Sequence, residues 1–149
     1  MRRKERRCHE QRGERCAQRS GLDGVRRGCR RQLHSDVGDR VEVRVGKAAD
    51  VLPTLAEGDP FDLVFIDADK ESNTLYLDWA ARLGRPGTVV VVDNIGRSGQ
   101  VADPLDTTSQ VVGTRRGLEM LRDDPRFDAT ALQTLDRKGW DGIALAVVV

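Results

Sequence analysis

The sequence predicts an α/β fold, and three observations carry the prediction. Two runs, "FDLVFID" (61–67) and "TVVVVDN" (88–94), are almost continuously apolar, as strands of a parallel sheet are when both faces are covered. Between them the apolar residues recur at helical spacing, as a βαβ crossover requires. From Arg40 onward strands and helices alternate, the pattern of a doubly wound sheet.

The elements follow in order. "RVEVRVG" (40–46) alternates valine with polar residues and reads as a strand. "DVLPTLAEG" (50–58) reads as a short helix or turn ended by Gly58. After the 61–67 strand comes a helix, with Ser72 or Asn73 as cap, Leu75, Trp79, Ala80 and Leu83 on one face, and Gly84 as stop. "RPG" (85–87) turns the chain into the 88–94 strand. A helix is predicted over 107–122, carrying Val111, Leu118 and Leu121, with Gly113 and Gly117 lowering its propensity. "FDATALQTL" (127–135) and "GIALAVVV" (142–149) close the fold as two strands, with Asp141-Gly142 as the hairpin signal between them.

A length of 149 residues predicts one domain with a real core. Charge is divided unevenly: residues 1–36 hold twelve Lys/Arg against five Asp/Glu, and residues 37–149 hold thirteen against nineteen. Cys8, Cys16, Cys29, His9 and His34 all lie in the first segment, so the body offers no disulfide framework. No apolar run reaches the length of a signal-peptide core or a membrane helix, and a soluble cytoplasmic protein with no membrane partner is the expectation. Segment 1–36 has no helical or strand periodicity and too few apolar residues to offset the entropy of ordering it. A nucleic-acid arm would interleave aromatics with its arginines, a zinc site from Cys16, Cys29 and His34 lacks a CxxC pair, and a transit peptide would avoid Glu5, Glu10, Glu14 and Asp23. The expectation is a disordered or out-of-frame segment over 1–36, no nucleic-acid partner, and a folded domain over 37–149.

The strand ends carry the chemistry. Ligands of open α/β sheets bind beyond the carboxyl ends of parallel strands. Here one strand ends in Asp67-Ala68-Asp69-Lys70 and the other in Asp93-Asn94. If the strands are neighbours, Asp67, Asp93 and Asn94 converge, and three oxygen ligands suit a hard cation, Mg²⁺ or Ca²⁺. Ordinary polar strand exits and helix caps would produce the same residues.

"FDLVFIDADK", "YLDWAARLGRPGTVVVVDN", "DPRF" and "KGWDG", in this order, resemble the cation-dependent O-methyltransferases of the caffeoyl-CoA and catechol type, from about Val37 to the C-terminus. The resemblance implies a Rossmann-like S-adenosylmethionine-dependent methyltransferase sheet and transfer of a methyl group to a catechol-like vicinal diol. It places Asp67, Asp93 and Asn94 at the positions that hold Mg²⁺ or another divalent ion such as Ca²⁺ or Mn²⁺, and Lys70 at the general-base position. It places Asp69 where S-adenosylmethionine is held, the Gly46–Ala48 turn where the adenine is contacted, and Asp67 beside both cation and cofactor. The family is commonly homodimeric.

The same resemblance implies an absence. The family's first two strands, with a glycine-rich cofactor loop and a ribose-binding acid, find no counterpart before Val41. A truncated sheet with an unpaired apolar edge at 61–67 is expected, and with it weak cofactor binding. The composition of 1–36 matches a GC-rich gene read out of frame, so a frameshifted or wrongly started methyltransferase is the expected origin. Two other functions compete: a non-catalytic remnant that self-associates, and a haloacid dehalogenase-like phosphatase with Asp67 as nucleophile and Asp69 as acid/base. Trp79 and Trp140 are read as packing residues, and Arg115-Arg116 as a solvated helix face.

Overall fold

The structure is a computed structural model, and it describes residues 41–137 and 139–149. The readings placed on segment 1–36 and on Arg40 lie outside the described residues. The chain divides into two compact units at Val45–Gly46. In the first, the expected 40–46 strand is absent: 41–45 carry no strand structure, and Val41, Val43 and Val45 are exposed. Alternating valines make a strand only where another strand completes the backbone ladder, and these residues pair with none among the described ones.

The second unit holds a four-stranded mixed sheet. Its strands are β1 (Leu63–Ile66), β2 (Val89–Asp93), β3 (Phe127–Asp136) and β4 (Gly139–Val148), in the order β1-β2-β4-β3. β1 and β2 run parallel, with Ile66 opposite Val92, while β4 is antiparallel to both of its neighbours. Three helices accompany them: α1 (Ala48–Val51), α2 (Asn73–Leu83) and α3 (Ser109–Asp123). α1 runs directly into a 3₁₀ turn over Leu52–Leu55, with Pro53 at its start, where a missing N–H costs nothing.

The core forms where one sheet face meets α2 and α3. Ile66, Val90, Val92, Ala144, Ala146, Val148 and Phe127 pack against Leu77, Ala80 and Leu121. Alternation along each strand sends the intervening residues to the opposite face. That face is not covered as the near-continuous apolar runs predict: Leu63 and Phe65 are each 59% exposed, and Val89 and Val147 are also exposed. Among the described residues the helices cover one face only, and β1 is an edge strand.

Three local expectations change. On α2 the buried line is Asn73, Leu77, Ala80 and Leu83, whereas Leu75 is exposed and Trp79 sits half-buried under Arg82, 5.3 Å from the guanidinium. The side chain of Ser72 stands at the N-cap position without making a capping bond. The hairpin turns earlier than Asp141-Gly142, because the register pairs Asp136 with Gly139 and continues through Thr134 and Asp141. Gly113 and Gly117 are packing residues: a Cβ on Gly113 would lie 2.3 Å from the Lys70 carbonyl oxygen, and one on Gly117 would lie 3.0 Å from Asn73 Cβ.

Candidate active site

The parallel pair β1–β2 brings the two polar strand ends together. Asp67 follows Ile66, Asp93 follows Val92 in the ladder, and those two apolar residues are direct partners. The chain then makes a 3₁₀ turn over Lys70–Ser72 that leads into α2. Lys70 is buried, at 5% exposure, and its Nζ lies 3.5 Å from Asp67 Oδ1. That distance is long for a hydrogen bond but within ion-pair reach. The turn rests on α3 through the Lys70 backbone and Gly113, so helix packing sets the height of the lysine.

Asp69 points elsewhere. Its Oδ1 accepts a hydrogen bond from the Tyr76 hydroxyl, one helical turn into α2. Hydrogen bonds from the side chains of Ser72 and Tyr76 hold its carboxyl below the usual aspartate range. Burial, and then the Asp69 carboxylate, push the Tyr76 hydroxyl above the usual tyrosine value.

At the end of β2, Asn94 adopts left-handed backbone geometry with φ 56°, and its N–H donates to Asp93 Oδ1 at 2.8 Å. Asparagine tolerates this region better than most residues. The Asn94 Nδ2 donates to Asp141 Oδ2 at 3.2 Å. The other oxygen, Asp141 Oδ1, accepts the backbone N–H groups of Gly96 (2.9 Å), Arg97 (3.0 Å) and Gly142 (2.9 Å). Burial raises the Asp141 carboxyl, but the donors of Arg97, Gly96, Gly142 and Asn94 outweigh it and leave it below the usual range. The sequence presents Asp141-Gly142 as a hairpin signal, and the carboxylate's bonds at the exit of β2 come only from the tertiary structure. The available signal was an acid inside an otherwise apolar closing strand.

The donor set at the strand ends is two carboxylates and one carboxamide. Among the described residues no group of three or more His, Cys, Asp or Glu side chains could hold a metal. All-oxygen donors suit a hard divalent cation. The Asn94 NH₂ is taken by Asp141, which leaves the amide oxygen free to coordinate. These residues fit such an ion.

Beside β1, a cavity of about 360 Å³ is lined by Ala48, Leu52, Phe61, Phe65, Asp67 and Tyr76, among others. It brings Ala48 and Asp67, from the candidate cofactor residues, to one hollow. Gly46 lies two residues before Ala48, and a Cβ there would come within 2.9 Å of Val51 Cγ2. Asp69 reaches this hollow only through its partner Tyr76. An apolar wall with a carboxylate at one end fits an adenosine-bearing cofactor. The larger groove, about 590 Å³ between α3 and β3, includes none of the candidate residues.

A mixed sheet with acids and an amine at its parallel strand ends is an α/β architecture of the kind whose ligands bind beyond the strand ends. The sequence model of the O-methyltransferase family matches residues 30–147, and the chain belongs to that family. The match begins a few residues before Val37. The catechol O-methyltransferase of Mycobacterium tuberculosis is 59% identical over 112 residues, which are 75% of this chain and 50% of that protein. The catechol O-methyltransferase of Niastella koreensis is 50% identical over 111 residues, 73% of this chain and 50% of that protein. The crystal structure of the O-methyltransferase from Bacillus cereus in complex with S-adenosylhomocysteine superposes with a TM-score of 0.77 and 45% identity, covering 86% of this chain and 58% of that one. The chain spans about half the length of the curated relatives it matches. Among the described residues no helix is long and apolar enough to cross a membrane.

Proposed function

We propose that this chain carries the base- and cation-binding part of an S-adenosylmethionine-dependent, divalent-cation-dependent O-methyltransferase acting on a catechol-like vicinal diol. The observation that carries the reading is the buried Lys70 amine, 3.5 Å from Asp67, at the end of a strand paired with the one that leads into Asp93-Asn94. The names of the two catechol O-methyltransferase relatives support the substrate class, and the S-adenosylhomocysteine bound by the Bacillus cereus enzyme supports the methyl donor.

Asp67, Asp93 and Asn94 would hold the cation, and Ala48, Asp67 and the Tyr76-linked Asp69 would border the cofactor. A cation held there would supply Lewis acidity to the substrate hydroxyls, and the cofactor would supply the methyl group. Lys70, in its free-amine form, would take the hydroxyl proton on the lone pair of its Nζ. Its burial keeps water from competing for that position. Methyl transfer demands alignment more than covalent participation, and the rigid exits of β1 and β2 supply it.

The test incubates the full chain with S-adenosylmethionine and catechol, with Mg²⁺ or with EDTA, and follows methylated product by mass spectrometry. Product with Mg²⁺, none with EDTA, and a loss of roughly 10²–10⁴-fold in Lys70→Met would support the reading. Full activity in EDTA removes the cation, and full activity in Lys70→Met removes the base.

A second reading is favoured by one observation, the 59% exposure of both Leu63 and Phe65 on an edge strand. In that reading the chain alone is non-catalytic and associates through β1. Sedimentation velocity showing concentration-dependent oligomers in EDTA, together with no methyl transfer under any condition, would select it.

A further inference from the structure

We propose that Asp141 is a positioning residue for the candidate cation site and acts through Asn94; the proposal rests on the reading of Asn94 as a cation ligand. β4 reaches the exit of β2 at this point and fastens it. Ile95 N–H donates to the Gly142 carbonyl at 3.0 Å, and the Asp141 carboxylate gathers Gly96 N–H, Arg97 N–H and the Asn94 carboxamide. The approach is close enough to need glycine: a Cβ on Gly96 would lie 2.7 Å from the Asp141 carbonyl carbon. Asn94 and Arg97 have positive φ, and Asp141 bonds the side chain of the first and the backbone N–H of the second.

The chemistry of the contact fixes more than position. An ionised carboxylate only accepts hydrogen bonds, so it can take the Asn94 NH₂ and not the Asn94 oxygen. The amide is thereby set in one of its two flip states, with its oxygen directed away from Asp141. An asparagine at 141 could donate as well as accept, and would permit either state. Partners of this kind set ligand orientation in metal sites, and losing one costs about 10–100-fold in affinity.

The test measures Mn²⁺ binding to the full chain, without cofactor or catechol, by electron paramagnetic resonance, for wild type, Asp141→Asn, Asn94→Ala and the double variant, with thermal melts of each. The expected result is a loss of about 10–100-fold in Asp141→Asn with a cooperative melt retained, and less than about threefold further loss when Asp141→Asn is added to Asn94→Ala. Wild-type affinity in Asp141→Asn, or losses that multiply fully in the double variant, would overturn the proposal while leaving the cation site standing. A wild-type chain that binds no Mn²⁺ would remove the cation site itself, and the proposal with it. If Asp141→Asn does not melt cooperatively, Asp141→Glu takes its place; it keeps the charge but shifts the oxygens by one methylene, and the same loss and the same non-additivity are expected.

Discussion

Replacing Gly113 by alanine sets two magnitudes against each other. In an exposed helix interior the change would stabilise, because glycine is about 1 kcal/mol worse than alanine there. In α3 the added Cβ would lie 2.3 Å from Lys70 O, 2.6 Å from Glu71 Cα and 2.7 Å from Lys70 C. All three are backbone atoms and cannot rotate away, and each separation is about 1 Å short of ordinary contact, ~3.5 Å. Overpacking of this kind costs about 1–3 kcal/mol, and contact with fixed backbone on one side puts Gly113→Ala at the top of that range. The net expectation is a loss of about 2 kcal/mol, or roughly 8 °C in melting midpoint for a domain of this size. Urea melts followed by circular dichroism would measure it, with an unchanged m-value as the check on two-state unfolding. Gly117→Ala is the internal comparison: its nearest contact is 3.0 Å, to the side-chain Cβ of Asn73, so the cost is smaller. Because two of the three crowded atoms belong to Lys70, the proposed methyl transfer should fall further than stability alone explains. A Gly113→Ala chain more stable than wild type would refute the argument that α3 and the Lys70 turn are in direct contact.

Arg115 donates to the backbone carbonyls of Gln100, Val101, Asp103 and Asp106, so Arg115→Met should lower stability by about 1.5–3 kcal/mol and speed proteolysis within 97–106; unchanged cleavage there would refute its role as a loop clamp. Phe65→Lys should weaken any self-association seen in sedimentation while shifting stability by no more than about 0.5 kcal/mol, because the ring is mostly in water. The Asp124 carboxyl is held low by hydrogen bonds from the Arg126 side chain and backbone. Its folded-state value lies below the unfolded one, so its contribution is complete above about pH 4 and lost as pH falls through the folded value. The stability gap between wild type and Arg126→Met should therefore narrow below pH 4 in thermal melts; a gap that stays constant down to pH 2 would refute the linkage.

The sequence alone predicted strands within 61–67 and 88–94 and the helix between them, and the structure has strands at Leu63–Ile66 and Val89–Asp93 that pair side by side. Those features rest on local pattern and on one topological rule, that a helical crossover makes neighbouring strands parallel. The sequence also showed which residue types stand at the strand ends, two carboxylates, a carboxamide and an amine. Only the tertiary structure decided which faces were covered. The runs 61–67 and 88–94 read as doubly buried, yet Leu63 and Phe65 face outward, because burial depends on what packs against a face and not on the strand's own composition. Of the 40–46 alternation, described residues 41–45 carry no strand structure for the same reason: a ladder needs a partner. Gly113 looked like a weak point in a helix and is the place where α3 meets Lys70. Asp141 looked like a turn and is the acid that holds Asn94, a pairing across 47 residues that no local spacing could reveal.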